Sequence, residues 1–333
     1  ELVNLTVLQD EDYGKFTRIV SAVDGGVVGF IGDMNDVGWT GAGCKPEYKN
    51  PTIANGKKKW ELGAWEIPLE LCYTDVEGTV AEYSLKQGTQ IGDLTGTDFL
   101  NVVIRPALER QVKRMFWRKG WFGDTAANYI SKGGVVTEGA DLSLLTTNDG
   151  FFKRIFAQGA ENASQVTAIA ANAKTSFAEA KTAMLGAGVA TGIVDTVLMD
   201  ADARINENGG ILMMTKAMAD ALAHDIKKTY NTSLEWQTIF DGFDVANYDG
   251  VQVARIGIWD QMIRAYENGG TKLNKPYRIV YANPQNFLTG IPQGNIATDL
   301  DIFFDRKERT TNIYAAGKIG THILEDDMFH AAY

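Results

Sequence analysis

Apolar and polar residues alternate along Trp60-Glu-Leu-Gly-Ala-Trp65-Glu-Ile67-Pro-Leu69-Glu-Leu71, the period of a half-buried strand. Just upstream, Gly32, Gly38, Gly41, Gly43, Gly56 and Gly63 punctuate the chain, with Trp39, Tyr48, Trp60 and Trp65 set among them. The pattern predicts a long hairpin with a glycine-rich tip near residues 40–57. A connection that long usually has a function or reaches for a partner, the alternative being a surface insertion without a role. Residues 1–29, with Leu2, Leu5, Val7 and Leu8 spaced among polar neighbours, read as an extended arm lying on another surface or as a frayed terminus.

A helical stripe follows over residues 97–119. Leu100, Ile104, Leu108, Val112, Met115 and Phe116 share one face, and Thr97 with Asp98 supplies an N-cap. Pro106 predicts a kink or a late start near 102–106. The opposite face carries Arg105, Arg110, Lys113, Arg114, Arg118 and Lys119 against one acid, Glu109. Such a ridge is either a solvated face or a surface for acidic neighbours or a polyanion.

Beyond it, 135–137 and 142–145 read as short strands. The alanine-rich stretch 160–183 reads as helix, broken by Gly186, Gly188 and Gly192. A helix over 194–206 ends at Gly209-Gly210. A buried strand at 211–214 and a helix at 217–228 come next. Asp249-Gly250 is a hairpin signal joining strands 243–247 and 251–258. A helix at 259–267 and a strand at 277–282 complete a compact α+β domain over about 195–290. The tail is strand-rich at 300–304, 311–316 and 318–324. No repeat of fixed period and no low-complexity segment appears.

Composition narrows the function classes. Of 333 residues, 45% are hydrophobic and 22% charged, which excludes wholesale disorder. Lys+Arg is 32 and Asp+Glu 42, a net charge of −10, so simple non-specific wrapping of nucleic acid is disfavoured. Glycine stands at 35 and proline at 7, a turn-rich chain with no proline-rich linker. Cys44 and Cys72 match neither a disulfide framework nor a zinc pattern, which points to a reducing compartment. No transmembrane stretch and no basic-headed signal segment is expected.

Candidate chemistry is sparse. His224, His322 and His330 form no metal or triad spacing, and phosphate-cradling loops and a nucleophile elbow are absent. Glu325-Asp326-Asp327 reads as a solvated turn before it reads as a cation site. The tryptophans 60, 65, 117, 121, 236 and 259 read as core or interface anchors. No catalytic residue, cofactor or metal site is expected.

The order of elements resembles the HK97-fold major capsid proteins of tailed bacteriophages. The residues carrying this resemblance are Ile211-Leu-Met-Met-Thr-Lys-Ala-Met with the following Ala-Asp-Ala-Leu-Ala, Tyr248-Asp-Gly-Val-Gln-Val-Ala-Arg-Ile-Gly-Ile-Trp-Asp260, Ala282-Asn-Pro-Gln-Asn-Phe-Leu-Thr-Gly-Ile291, and Lys318-Ile-Gly-Thr-His-Ile323 with a closing Phe329-His-Ala-Ala-Tyr333. They cover about 205–333 as sequence and most of the chain as an order of elements. The resemblance implies an α+β HK97-like capsid fold: an N-terminal arm at 1–29, an extended E-loop at 30–75, a P-domain of 76–150 plus 296–333 with a spine helix near 97–119, and an A-domain at 151–295. It implies a structural, non-enzymatic subunit that self-assembles into hexamers and pentamers of an icosahedral shell around double-stranded DNA. The virion capsid would be built in the bacterial cytoplasm, with portal, scaffold or decoration proteins as further partners and no membrane. Expected inter-subunit contacts are Trp39, Lys57, Lys58, Lys59, Trp60, Trp65, Arg105, Arg110, Lys113, Arg114 and Arg118. Some members cross-link a loop lysine to a neighbour's asparagine, but no motif here assigns such a bond. A chain starting at Glu1 fits either removal of a leading segment or truncation. Another self-assembling phage or surface-layer protein, and a hydrolase with an unseen carboxylate pair, stand as alternatives.

Overall fold

The computed structural model describes residues 13–34, 50, 52–72, 95, 104–127, 134–135, 142–240, 243–268, 272–292 and 301–333. In chain order the strands are β1 (Arg18–Ser21), β2 (Val27–Met34), β3 (Ile53–Lys59), β4 (Gly63–Cys72), β5 (Val166–Thr167), β6 (Ile211–Thr215), β7 (Gln237–Phe240), β8 (Phe243–Tyr248), β9 (Val251–Ile256), β10 (Ile279–Ala282), β11 (Phe287–Ile291), β12 (Asp301–Asp305), β13 (Thr310–Ile323) and β14 (Phe329–Ala332). The longer helices are α1 (Arg105–Phe122), α2 (Phe151–Glu161), α3 (Val189–Asp200), α4 (Lys216–Tyr230) and α5 (Gly257–Tyr266).

A five-stranded sheet is built around β13. Its first part pairs with β4 from Thr310↔Cys72 to Ile319↔Gly63, and with β12 on the other side. Its last residues pair with β11, and β1 adds in parallel beyond. The alternation expected at 60–71 is therefore β4. The two tail strands expected on either side of Gly317 are one. Gly317 does not break the strand; a Cβ there would lie 2.6 Å from the Trp65 indole, so glycine makes room for that ring.

A second sheet runs β5-β14-β10-β6-β9-β8-β7. Strands β10 and β14 are buried throughout and β6 nearly so, because chain covers both faces. The hairpin expected at Asp249-Gly250 forms β8 and β9, with φ of 48° and 82° at the two turn residues. The alanine-rich stretch does not become one helix. After α2 the chain turns at 163–165 and enters β5, which pairs in parallel with β14. Strand pairing outweighs alanine's helix preference there. Residues 142–144 form a helical turn instead of the expected strand, closed by Leu145 N–H on Leu142 O at 3.0 Å.

Helix α1 begins at Arg105, so Pro106 sits in its first turn, where a missing N–H costs nothing. Its expected residues before 104 lie outside the described ones. The C-terminal half, from Met115 on, is buried nearly all round. Trp121 is fully buried, with the rings of Trp259, Phe151, Phe152 and Phe287 centred 4.6 to 5.3 Å away. This aromatic core lies between α1, α2, α5 and both sheets. A second core joins the seven-stranded sheet to α3 and α4. Asp225 of α4 ties those helices together by accepting from the Gly188 and Thr191 amides at 2.8 and 3.0 Å. Burial works against its charge, yet those amides and the Thr191 and Thr229 hydroxyls hold its carboxyl below the usual range.

The sheets divide the chain differently from a cut by sequence. Strand β11, inside 151–295, belongs to the five-stranded sheet, and β14, inside 296–333, belongs to the seven-stranded one. Near the joint, Arg278 and Glu267 are both 1% exposed and form a buried ion pair. The guanidinium carbon stands 4.5 Å from the Phe152 ring centre and 5.5 Å from that of Phe122.

Candidate assembly surfaces

Strands β2 and β3 pair with each other and with no other described strand. Pairs run from Val27↔Lys59 to Met34↔Ile53, with an irregularity between Ile31 and Met34. The pleat sorts the side chains. Val28 and Phe30 turn to the half-buried face, where the Phe30 ring lies over Gly56; a Cβ on Gly56 would come within 2.3 Å of it. Val27 and Ile31 turn to the open face beside Lys59, Lys57 and Asn55, and Met34 and Ile53 are exposed further out. Ile31 is 83% exposed and Val27 65%, with Val23 also open at the ribbon's base. An isolated two-stranded ribbon with an apolar outer face is marginal in water.

The ribbon is rooted firmly. Trp60, 4% exposed, packs with Ala22 and Leu288, its ring over Gly290, where a Cβ would lie 2.6 Å from it. Gly25 N–H donates to Trp60 O and Trp60 N–H to Gly26 O, closing the base. The His322 ring lies tilted against Trp60, centres 4.8 Å apart, and its Nε2 is 2.8 Å from Lys59 O. Burial foremost, then the Arg154 charge, lowers the His322 pKa to about 4. It is therefore a neutral ring whose Nε2–H donates to that carbonyl. Lys58 points inward and donates to Ile323 O and to Asp326.

The expected contact residues thus separate. Lys57 and Lys59 are exposed on the ribbon. Lys58 is engaged within the chain, and Trp60 and Trp65 are buried in it. Trp39 and residues 40–49 of the expected glycine-rich tip lie outside the described residues, and residues 53–57 of that expected tip are strand, paired in β3 with β2. On α1, Arg110 and Arg114 are exposed, Arg114 donating to Gln261 at 2.9 Å. Arg105 and Lys113 are half-buried, and Arg118 leans on Tyr266, donating to its hydroxyl at 3.2 Å. Lys119 is inside; burial and then Arg118 lower its pKa to about 8, and it donates to Thr147. Of the ridge read from sequence, Arg110 and Arg114 are exposed, Arg105, Lys113 and Arg118 half-buried, and Lys119 alone buried.

The chain is anchored where its described part begins. The turn Tyr13–Phe16 sits on α1: Tyr13 meets Trp117 edge-on at 5.5 Å and shares a 2.7 Å hydrogen bond with Thr289. Gly120 admits it, since a Cβ there would clash with the Tyr13 hydroxyl at 2.0 Å. Among the described residues, no three His, Cys, Asp or Glu converge to hold a metal ion, and no single helix is long and apolar enough to cross a membrane. Sequence reasoning missed the apolar stripe at Val27, Ile31 and Ile53; the alternation of Val27, Gly29 and Ile31 was its available signal.

No protein-family profile and no curated protein matches the sequence. Solved structures do match its shape. A chain of the satellite phage P4 procapsid including size determination (Sid) protein aligns at 11% identity with a TM-score of 0.53, covering 98% of this chain and 96% of that one. A chain from Mycobacterium phage Ogopogo aligns at 12% identity and 0.51, covering 100% and 99%. One from the capsid of an empty GTA particle, computed with C5 symmetry, aligns at 12% and 0.51, covering 100% and 90%. At such identities the likeness speaks for architecture: the chain has the α+β, HK97-like capsid fold.

Proposed function

We propose that this chain is a major capsid subunit, a structural protein and not an enzyme, that assembles with its own copies into the hexamers and pentamers of an icosahedral shell. The observation that carries the reading is a capsid fold bearing a ribbon, β2–β3, rooted in the five-stranded sheet and apolar on its outer face at Val27, Ile31, Met34 and Ile53. A neighbouring copy that covers this face removes it from water, and head-to-tail contacts of this kind close into rings. The perturbed titratable groups favour a structural role: Asp225, Lys119 and His322 are each spent on internal bonds.

In this reading residues 1–29 are the arm, pinned at Tyr13, and 30–75 the E-loop, with β2 extending it back to Val27. Helix α1 is the spine of the P-domain, and Arg110 and Arg114 face acidic neighbours. The sheet pairing favours placing β11 with the P-domain and β14 with the A-domain. Double-stranded DNA is the enclosed cargo, met non-specifically on the inner face. Portal, scaffold and decoration proteins are further partners, and the virion capsid, assembled in the bacterial cytoplasm, is the location.

The test is negative-stain microscopy with light scattering on the parent chain and on Ile31→Glu. The parent forms rings or shells as concentration rises. The variant, altered at an exposed position, keeps the parent's circular dichroism and loses the particles. Particles that form as readily with Ile31→Glu refute the assembly role of the ribbon.

A further inference from the structure

The five residues 324–328 carry the chain from β13 in one sheet to β14 in the other. Two adjacent acids in this turn hold cations from different parts of the molecule. Asp326 takes Lys58 of the ribbon, at 2.5 Å. Asp327 takes Arg204, at 3.0 Å, from the short helix Ala203–Glu207 beside the seven-stranded sheet. Arg204 is itself oriented by Asp202, at 2.8 Å.

The turn between them is stiff. Asn286 Nδ2 donates to Glu325 O and Met328 O at 3.0 and 3.2 Å, and its Oδ1 accepts from Glu325 N–H at 2.8 Å. Gln165 donates to Asp326 O at 2.8 Å. Lys58 also donates to Ile323 O, so it grips the turn at two points. A rigid turn clamped at both ends transmits displacement instead of absorbing it.

We infer that Asp326 and Asp327 are positioning residues: a crosspiece through which the seven-stranded sheet sets the pitch of the β2–β3 ribbon. Lys58 and Arg204 are bonded to adjacent residues of the same braced turn. Motion of the Ala203–Glu207 helix therefore reaches the ribbon root, and displacement of the ribbon by a neighbour reaches the seven-stranded sheet. The functional weight of this coupling rests on the ribbon being an assembly element; the coupling itself does not.

The experiment is hydrogen exchange by mass spectrometry on the full-length chain. Peptides covering 25–34 and 53–60 are followed in the parent, Asp327→Ala, Lys58→Met, the double variant and Asp327→Glu. Asp327 is 62% exposed, and methionine keeps the aliphatic stem of the half-buried Lys58, so the fold survives both changes. Expected is about a two- to five-fold faster exchange of the ribbon peptides in Asp327→Ala, in keeping with a partly exposed ion pair. The double variant exchanges no faster than Lys58→Met, and Asp327→Glu restores protection. Ribbon exchange in Asp327→Ala equal to the parent overturns the inference, as does acceleration spread over all peptides, or simple additivity in the double variant. If Asp327→Ala loosens the ribbon while particles form as before, the crosspiece stands and the assembly reading of the ribbon fails.

Discussion

Replacing Trp60 by alanine tests whether one side chain roots the ribbon. Its ring is 4% exposed and fills the space between Ala22, Leu288 and Gly290, with the His322 ring tilted against it at 4.8 Å. A buried tryptophan covers about 150–250 Å². At about 25 cal/mol/Å² that corresponds to about 4–6 kcal/mol, near the roughly 3–5 kcal/mol seen for Trp→Ala in cores. The surrounding cluster is a small satellite of the main core, so collapse into the gap is easy and the lower figure applies, about 3 kcal/mol. The loss has a local signature. The bonds Gly25 N–H to Trp60 O and Trp60 N–H to Gly26 O survive the change as groups but lose their cover. Denaturant unfolding measures the total, and hydrogen exchange of residues 25–34 and 53–60 locates it. Exchange accelerates there while β10 and β14 stay protected. A stability loss below about 1 kcal/mol, or uniform acceleration across both sheets, refutes the claim that Trp60 is the root.

Three further outcomes follow from other sites. Glu267→Ala strands the 1%-exposed Arg278 guanidinium among aromatic rings and should cost about 3–5 kcal/mol by denaturant unfolding; a loss under about 1 kcal/mol would show that Arg278 escapes to water. His322 has a folded pKa of about 4 against 6.5 unfolded, so its neutral form stabilises the fold fully above pH 6.5 and that contribution is lost as pH falls from 6.5 through 4. The unfolding midpoint should drop across this window in the parent and drop less in His322→Gln, and equal slopes in the two would remove His322 as the cause. Reversing charge together at exposed Arg110 and Arg114 should cut particle yield with melting unchanged, and an unaltered yield would mark that face as merely solvated.

Local pattern settled several elements by itself. The alternation at 60–71, the turn at Asp249-Gly250 and the strand–helix passage at 211–228 form as read, because each needs only its own period and its own turn residues. Pro106, read from sequence as a kink or a late helix start, lies in the first turn of α1, while the helix expected over 97–103 lies outside the described residues. These elements in order were enough to recognise the capsid fold.

Other features belong to tertiary structure, and the reason is the same in each. Trp60 and Trp65, read from sequence as core or interface anchors and expected at subunit contacts, could not be assigned to either because a strand's period does not say which chain covers its apolar face; here Gly290 and Gly317, distant in sequence, leave the space that takes both rings inside. The basic ridge of α1 shrank because packing by α2, α5 and β13 surrounds the helix from Met115 onward, drawing in Lys119. Helix preference in the alanine-rich stretch yielded at 166–167 to pairing of β5 with the last strand. Lys57, Lys58 and Lys59 are identical in type, and only register on the ribbon turns the middle one inward to Asp326. The order of elements along the chain was thus set by short-range periodicity. Which faces remained open for another copy was decided by contacts between residues hundreds of positions apart, and no local pattern encodes those.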